Sequence, residues 1–153
     1  MNYLILAHPD DECIWFNPEE YDKIVIVFTD RLDVPQFGDS RRQAMKELPY
    51  ADKIISLDLT ESNYWRDITK LEQFEENYHD LCEWLEDNIK QGDIVSTHNP
   101  NGEYGHLDHK LVYQACMDVL DCPVNNMDPK LYREARDIYK SNGVWTWNLT
   151  QNI

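Results

Sequence analysis

The sequence predicts an α/β fold in which a mostly parallel β-sheet is flanked by helices within a single domain. Short apolar runs alternate along the chain with segments of helical periodicity, which is the pattern of successive strand and helix units. The run at 23–28 (KIVIVF) is apolar and rich in β-branched residues, as expected for a parallel strand buried on both faces. The length of 153 residues suits one domain with one core.

The predicted strands are short apolar runs that end in polar residues. The first, at 2–6, is followed at once by an imidazole and three carboxylates, and the strand at 23–28 ends in Thr29 and Asp30. The remaining strands are predicted at 53–57, 93–97 and 143–147. Loops rich in polar residues, Gly or Pro separate the elements. They are predicted at 31–38, 60–67, 98–105 and 123–129.

Helical periodicity is clearest at 69–90, where apolar residues recur at spacings of three and four. Asp39 or Ser40 can cap an earlier helix that runs to Leu48, because a short polar side chain accepts a hydrogen bond from the first helical turn. The other helices are predicted at 13–16, 109–120 and 130–139, and the residues at 17–20 are typical of either a turn or the start of a new helix.

The charge of the chain limits its partners. A net charge of −15 argues against nucleic-acid binding, because phosphate contacts require clustered Lys and Arg. The same charge disfavours an anionic membrane surface, and no apolar run approaches the roughly 18 residues of a membrane span. The charge does not identify a substrate, and the sequence leaves the oligomeric state open.

The four cysteines, Cys13, Cys82, Cys116 and Cys122, form no Cys-x-x-Cys pair, so a structural zinc site is not expected. The first residues follow a strand pattern and do not resemble a secretory signal, which has a basic segment before a long apolar one. Free thiols in a reducing cytoplasm are therefore predicted.

The chemically active side chains concentrate in two clusters, each placed after a predicted strand. The segment 7–12 (AHPDDE) follows the first strand, and the segment 105–109 (GHLDH) ends the loop after the strand at 93–97. Open α/β sheets bind their ligands at the carboxyl ends of the strands. We therefore expect the two clusters to meet at one edge of the sheet.

The residue types in these clusters are those of a catalytic zinc site, which usually has three protein ligands and one open position. His8 and one of Asp10 or Asp11 could supply two ligands. His106 and His109 share a face of a helical turn, so one of them could complete the set. A metal held there would lower the pKa of a bound water towards neutrality.

Each of these residues also has a simpler structural explanation. His8 could cap a backbone carbonyl, Asp10 and Asp11 could cap the following helix, and Asp108 could add favourable charge near a helix N-terminus. The joint occurrence of two His/Asp clusters after parallel strands is harder to explain by capping alone. His98, which also follows a strand, remains an alternative candidate.

The segments 7–12 and 102–109 (GEYGHLDH) resemble the two signature motifs of the PIG-L/LmbE-like zinc-dependent N-acetylglucosaminyl deacetylase family. Both motifs occur in the family's order and after the expected strands. The resemblance implies a Rossmann-like α/β fold, one zinc ion, and removal of an N-acetyl group from an N-acetylglucosamine-type amino sugar or conjugate. A His/His/Asp set also accepts other divalent metals.

The resemblance implies roles for individual residues. The zinc ligands would be His8, Asp11 and His109. Asp10 would be the general base that takes a proton from the attacking water. His106 would be a cationic imidazole facing the oxyanion, and Asp108 would tune it. Tyr104 matches a tyrosine that helps to polarise the carbonyl in some members.

Two features depart from the family pattern. The segment 13–16 (CIWF) stands where the family usually has small residues, so we expect bulky groups there to fill space near the metal. Family members often carry an Arg in the helix after the second strand, for which Arg41 and Arg42 are candidates. A solvated charge on that helix is the simpler explanation of both.

Several aromatic residues could stack on the apolar face of a sugar. They are Trp15, Tyr64, Trp65, Trp145 and Trp147. Packing in the core explains such residues equally well.

The sequence therefore predicts a cytoplasmic, zinc-dependent N-deacetylase. One alternative is an amide hydrolase that acts on a thiol-glycoside conjugate or another non-sugar amide. A second alternative is a non-catalytic sugar- or nucleotide-binding protein. Dinucleotide binding of the usual Rossmann kind is not expected, because no Gly-x-Gly-x-x-Gly follows the first strand.

Overall fold

Five parallel strands form one sheet in the order β3-β2-β1-β4-β5 in a computed structural model that describes residues 1–126 and 133–146. The strands are β1 (Asn2–Leu6), β2 (Lys23–Arg31), β3 (Ile54–Glu61), β4 (Ile94–Thr97) and β5 (Val124–Asn126). All four strand pairings are parallel. The predicted single-domain α/β fold with a parallel sheet flanked by helices is confirmed.

Helices connect the strands. The α-helices in the described part of the chain are α1 (Asp11–Ile14), α2 (Phe37–Glu47), α3 (Leu71–Asn88), α4 (Gly102–Gly105), α5 (Leu107–Val119) and α6 (Arg133–Ser141). Single 3₁₀ turns occupy Pro18–Glu20, Ala51–Lys53 and Ile68–Lys70. No helix within 1–126 and 133–146 combines the length and the apolar character needed to cross a membrane.

The two faces of the sheet bury separate apolar layers, because successive side chains of a strand point to opposite faces. Leu4 and Leu6 of β1 pack in the layer that contains residues of α1, α2 and α6. Ile5 and Ala7 pack in the layer that contains residues of α3 and α5. Burial on both faces explains why β1 and β2 are apolar without alternation.

Strands β2 and β3 run further than predicted, to Arg31 and Glu61. Their pairing shifts register between Ile26 and Asp30, and Asp58 adopts a left-handed backbone with φ of 53°. The Thr29 hydroxyl donates to Asp58 Oδ1 at 2.7 Å and braces this irregularity. Pairing then resumes, with Arg31 opposite Glu61, so that polar residues predicted as loop lie in the sheet.

Other predicted boundaries were also wrong. The short edge strand β5 lies inside the predicted loop 123–129, because its three residues are too few to show a pattern. Residues 144–146 have no regular secondary structure, in contrast to the predicted strand at 143–147, and Trp147 lies outside the described residues. Helix α2 begins at Phe37, before both of the predicted caps.

All four cysteines are free thiols. Cys13 and Cys116 are buried.

The strand order positions the two sequence clusters. The chain adds β2 and β3 on one side of β1 and then crosses to place β4 on its other side. Strands β1 and β4 therefore flank the point where the order reverses, which is where such sheets form a ligand crevice. The segment 7–12 follows β1 and the segment 105–109 follows β4, so both motifs meet at this crevice.

Glu12, the last residue of the first motif, anchors the loop after β1. It is fully buried, and its carboxylate accepts hydrogen bonds from the hydroxyls of Tyr50 at 2.9 Å and Tyr139 at 2.5 Å. The Asp10 backbone N–H also donates to Glu12, at 2.9 Å. These bonds hold Asp10 in its left-handed conformation, with φ of 103°, which non-glycine residues rarely adopt.

We expect Tyr139→Phe to destabilise the fold by about 1.5–3 kcal/mol, the usual worth of a hydrogen bond to a charged group. The matched control is Tyr113→Phe, because no hydrogen bond of the Tyr113 hydroxyl is found within the described residues. Urea unfolding of both variants measures the difference. Equal loss of stability would contradict the anchoring role of Glu12.

Candidate metal centre

Three atoms form a nearly equilateral triangle in the crevice between the ends of β1 and β4. His8 Nδ1 lies 3.2 Å from His109 Nε2 and 3.4 Å from Asp11 Oδ2, and Asp11 Oδ2 lies 3.3 Å from His109 Nε2. Tetrahedral zinc with bonds of about 2.0–2.1 Å to nitrogen and oxygen holds its ligand atoms about 3.3–3.4 Å apart. The three residues, all buried, therefore have the spacing of one face of a zinc tetrahedron.

In both His8 and His109, the ring nitrogen that points away from the triangle, called the outer nitrogen below, faces a carboxylate. His8 Nε2 lies 2.9 Å from Glu61 Oε1 and 2.9 Å from Asp108 Oδ2, and His109 Nδ1 lies 3.4 Å from Glu103 Oε2. Carboxylates accept hydrogen bonds only, so these outer nitrogens carry the protons of the neutral rings.

The inner nitrogens, His8 Nδ1 and His109 Nε2, then carry lone pairs. These lone pairs face each other and the carboxylate oxygen Asp11 Oδ2. A buried cluster of three lone-pair donors needs a cation between them, either a proton or a metal ion. Burial opposes the charged ring, yet Glu61, Asp108 and Asp11 raise the pKa of His8 well above its ordinary value. The donor set therefore fits a divalent metal that replaces a proton.

Neighbouring elements supply the three side chains. His8 follows β1, Asp11 begins α1, and His109 lies in the first turns of α5. Asp11 Oδ2 also accepts the His8 backbone N–H at 2.8 Å, which fixes the carboxylate against the loop. Burial favours protonation of Asp11, but the imidazoles of His109 and His8 hold its pKa well below the usual range.

Glu61 is a site residue that the sequence analysis missed. It is buried at the end of β3, where it contacts His8 and also accepts a hydrogen bond from Arg41 Nη1 at 2.8 Å. Such carboxylate partners orient metal-binding histidines. Its position at a strand's carboxyl end was the available signal, but the predicted strand stopped four residues earlier.

Asp108 contacts a different histidine from the one that the resemblance implies. Its carboxylate hydrogen-bonds to His8 Nε2, and its link to His106 runs through the backbone, since the Asp108 N–H donates to His106 Nδ1 at 3.1 Å. Asp108 therefore orients His8, while His106 caps the start of α5.

The surroundings of His106 favour a neutral ring, whereas the resemblance implies a cationic imidazole. Burial and the neighbouring charges of His8 and His109 lower the pKa of His106 to about 2. Because its Nδ1 accepts a backbone N–H, the ring proton lies on Nε2. His106 lines the cavity described below, so this group can donate a hydrogen bond there.

His98 and Glu103 support the centre from behind. His98 is fully buried, its Nε2 accepts the Ala7 N–H at 2.9 Å, and its Nδ1 lies 2.7 Å from Glu103 Oε1. Its ring stacks on that of His109 at 3.9 Å between centroids. Both nitrogens of His98 are engaged, so it supports the candidate ligand His109 through Glu103. The sequence analysis did not assign Glu103 a role.

Asp10 lines the same cavity as Asp11 but stands apart from the triangle. The Asp10 backbone is left-handed, whereas Asp11 is the first residue of helix α1. Burial, followed by the charges of Asp11 and Glu12, raises the pKa of Asp10 well above its usual range. A carboxylate with a raised pKa is suited to accept a proton near neutral pH.

A cavity of about 510 Å³ opens onto these residues. Tyr104 lies at its rim with 40% of its surface exposed, and its ring centroid lies 5.8 Å from that of His106. Trp65 and Trp145 also line the cavity, as two of the five aromatic candidates. Among the other candidates, Trp15 is buried in the core, Tyr64 packs on Phe74, and Trp147 lies outside the described residues.

The structure shows where the two features that depart from the family pattern lie, namely the segment 13–16 and the arginines of α2. The residues at 13–16, which form the end of α1 and the two positions after it, pack in the apolar layer on one face of the sheet, and none of them lines the cavity. Arg41 is buried beside the site, where its Nη1 also donates to the Thr29 carbonyl at 3.0 Å. Arg42 is the partly exposed helix charge, and it pairs with Asp30 at 2.8 Å.

No protein-family model matches this chain, and no curated protein matches it either. The link to the deacetylase family therefore stays a prediction that depends on the two motifs.

We expect Glu103→Gln to weaken zinc binding by about 10- to 100-fold, the usual effect of removing a carboxylate that orients a metal-binding histidine. Competition against a chromophoric chelator measures the affinity. The matched control is Glu75→Gln, which changes an exposed carboxylate on α3. Unchanged zinc affinity in Glu103→Gln would show that Glu103 does not orient His109.

Proposed function

We propose that this chain is a cytoplasmic zinc-dependent hydrolase of the PIG-L/LmbE-like type, which removes an N-acetyl group from an N-acetylglucosamine-type amino sugar or conjugate. The observation that carries the proposal is the triangle of His8, Asp11 and His109, whose donor atoms face one another at the spacing of zinc ligands. The triangle borders a cavity that is large enough for a small-molecule ligand.

His8 Nδ1, Asp11 Oδ2 and His109 Nε2 would hold the metal. When bound, zinc would lower the pKa of a water towards neutrality and polarise the acyl carbonyl. Glu61 and Asp108 orient His8, and Glu103 orients His109, so both rings present unprotonated nitrogens to the metal.

Asp10 is the proposed general base. It lines the cavity beside the triangle, and burial gives its carboxylate an increased affinity for protons. Asp10 accepts one proton from the attacking water as the new carbon–oxygen bond forms. The same proton then passes to the amide nitrogen as the carbon–nitrogen bond breaks, and acetate and a free amine are released.

His106 is the proposed hydrogen-bond donor to the oxyanion of the tetrahedral intermediate. It donates from Nε2 as a neutral imidazole, because its Nδ1 is occupied by the Asp108 backbone N–H. A neutral His106 has no proton to spare for the leaving amine, so the mechanism assigns that step to Asp10. Tyr104, which matches the tyrosine that helps to polarise the carbonyl in some family members, lines the same cavity.

The walls of the cavity suit a sugar. Trp65 and Trp145 line it with 45% and 63% of their surfaces exposed, and aromatic rings of this kind can pack on the apolar face of a pyranose. Acetate release from N-acetylglucosamine, its disaccharide, a nucleotide-linked form and an inositol-linked form, with zinc and with a chelator, tests the reaction. Chelator-sensitive release from any of them supports the proposal.

We expect Asp10→Asn to lower turnover by about 10²- to 10⁴-fold, the usual contribution of a general base. Asparagine tolerates the left-handed backbone at this position, so the variant should fold. Zinc content, measured by elemental analysis, should stay at the wild-type level. Full turnover by a zinc-loaded Asp10→Asn protein would rule out Asp10 as the base.

Zinc should also stabilise the folded protein. At a free concentration 100 times the dissociation constant, a ligand that binds only the native state adds about 2.7 kcal/mol to the free energy of unfolding. Thermal unfolding with zinc and with chelator measures this gain. His109→Ala should abolish it, and His79→Ala, which changes an exposed histidine on α3, should retain it. A gain that persists in His109→Ala would place the metal elsewhere.

A further inference from the structure

Arginine is concentrated at the candidate active site of this acidic protein. Three arginines line the cavity, whereas no lysine in the described part of the chain does. They are Arg31, Arg41 and Arg66. A chain with a net charge of −15 repels anions over most of its surface. A local group of guanidinium side chains at the cavity beside the triangle therefore indicates that the ligand carries negative charge.

Arg41 is held in a fixed position, and some of its N–H groups have no hydrogen-bond acceptor among the described residues. It is only 6% exposed, its Nη1 is used by the Thr29 carbonyl and Glu61, and its guanidinium lies over the Phe37 ring at 4.6 Å. Within residues 1–126 and 133–146, neither Nε nor Nη2 of Arg41 has a hydrogen-bond acceptor. A buried guanidinium with unused donors is a preorganised partner for an oxyanion.

Arg31 and Arg66 share a single carboxylate. Arg31 makes a two-pronged contact with Asp33, from Nε at 3.0 Å and Nη2 at 2.8 Å. Arg66 stacks over the Trp65 ring at 4.3 Å, and its nearest ion-pair partner in the described part is the same Asp33, at 3.9 Å.

The three guanidinium groups share two nearby carboxylates. Arg31 and Arg66 contact Asp33, and Arg31 and Arg41 contact Glu61, which also contacts His8. Because Glu61 contacts both Arg41 and His8, one small molecule could reach the arginines and the metal ligands together.

We propose that the substrate carries an oxyanion, a phosphate or a carboxylate, which Arg31, Arg41 and Arg66 bind while the acetamido group lies at the metal ligands. The amide part of this inference depends on the proposed function, whereas the anion site does not. Trp65 and Trp145 then flank the sugar between the two ends. The arginines would discriminate against neutral sugars, because guanidinium donors pair poorly with hydroxyl groups that cannot neutralise them.

The test compares kcat/KM for neutral N-acetylglucosamine, its 1-phosphate, its 6-phosphate and the carboxylate-bearing N-acetylmuramic acid, with the zinc-loaded protein. The two phosphates and the carboxylate distinguish the sources of the anion. We expect at least one anionic substrate to exceed the neutral sugar by about tenfold or more, as expected for one charge-assisted hydrogen bond. Arg66→Gln should reduce this anionic-to-neutral ratio by roughly tenfold, and Arg66→Lys should partly restore it.

Arg42→Gln is the matched control. Arg42 is the neighbour of Arg41 on α2 but does not line the cavity, so its loss should leave the ratio unchanged. Arg66 is largely exposed, so Arg66→Gln should fold even if substitution of the buried Arg41 does not.

Binding of inorganic phosphate, measured by calorimetry on the zinc-loaded protein and on Arg66→Gln, separates the anion site from the reaction. Weaker phosphate binding in Arg66→Gln supports the anion site even if no sugar is hydrolysed. Equal hydrolysis of neutral and anionic sugars, with a ratio that Arg66→Gln does not change, would overturn the anion site and leave the deacetylase proposal standing.

Discussion

The burial of charge between the ends of β1 and β4 is the constraint on which the candidate site depends. His8, Asp11 and His109 point three lone-pair donors at one space, and such a cluster needs a cation within it. Three surrounding carboxylates, those of Glu61, Asp108 and Glu103, support this arrangement from the outer side of the two rings. Glu61 and Asp108 both contact His8 Nε2. These contacts hold the ring so that its other nitrogen, Nδ1, faces the centre of the triangle.

The sheet delivers these groups to one place through its connectivity. The chain reverses its strand order at β1, so the loops after β1 and β4 lie side by side although about 90 residues separate them in sequence. The apolar layers on the two faces hold β1 rigidly, and the Glu12 carboxylate fastens the first loop to Tyr50 and Tyr139. The polar centre is therefore built at the edge of a packed core.

The site divides into two ends with different chemistry. The imidazole and carboxylate end suits a divalent cation, and the arginine end suits an anion. Glu61 lies between them, because one of its oxygens contacts His8 and the other accepts from Arg41. The irregular pairing of β2 and β3 around Asp58 allows β3 to continue as far as Glu61, and this local distortion positions the residue that joins the two ends.

The sequence by itself determined the parallel α/β fold and the candidate cluster of His8, Asp10, Asp11, His106 and His109. Apolar periodicity and the position of polar residues after strands are local patterns, so they can be recognised in the sequence without knowledge of contacts between distant residues. Tertiary structure decided the partners: Glu61 and Asp108 beside His8, Glu103 beside His109, and a buried Arg41 that resembles an ordinary surface arginine in sequence. It also made His106 a neutral donor, because a backbone N–H occupies its Nδ1. These properties arise from contacts between residues distant in the chain or from backbone geometry, which no local pattern encodes.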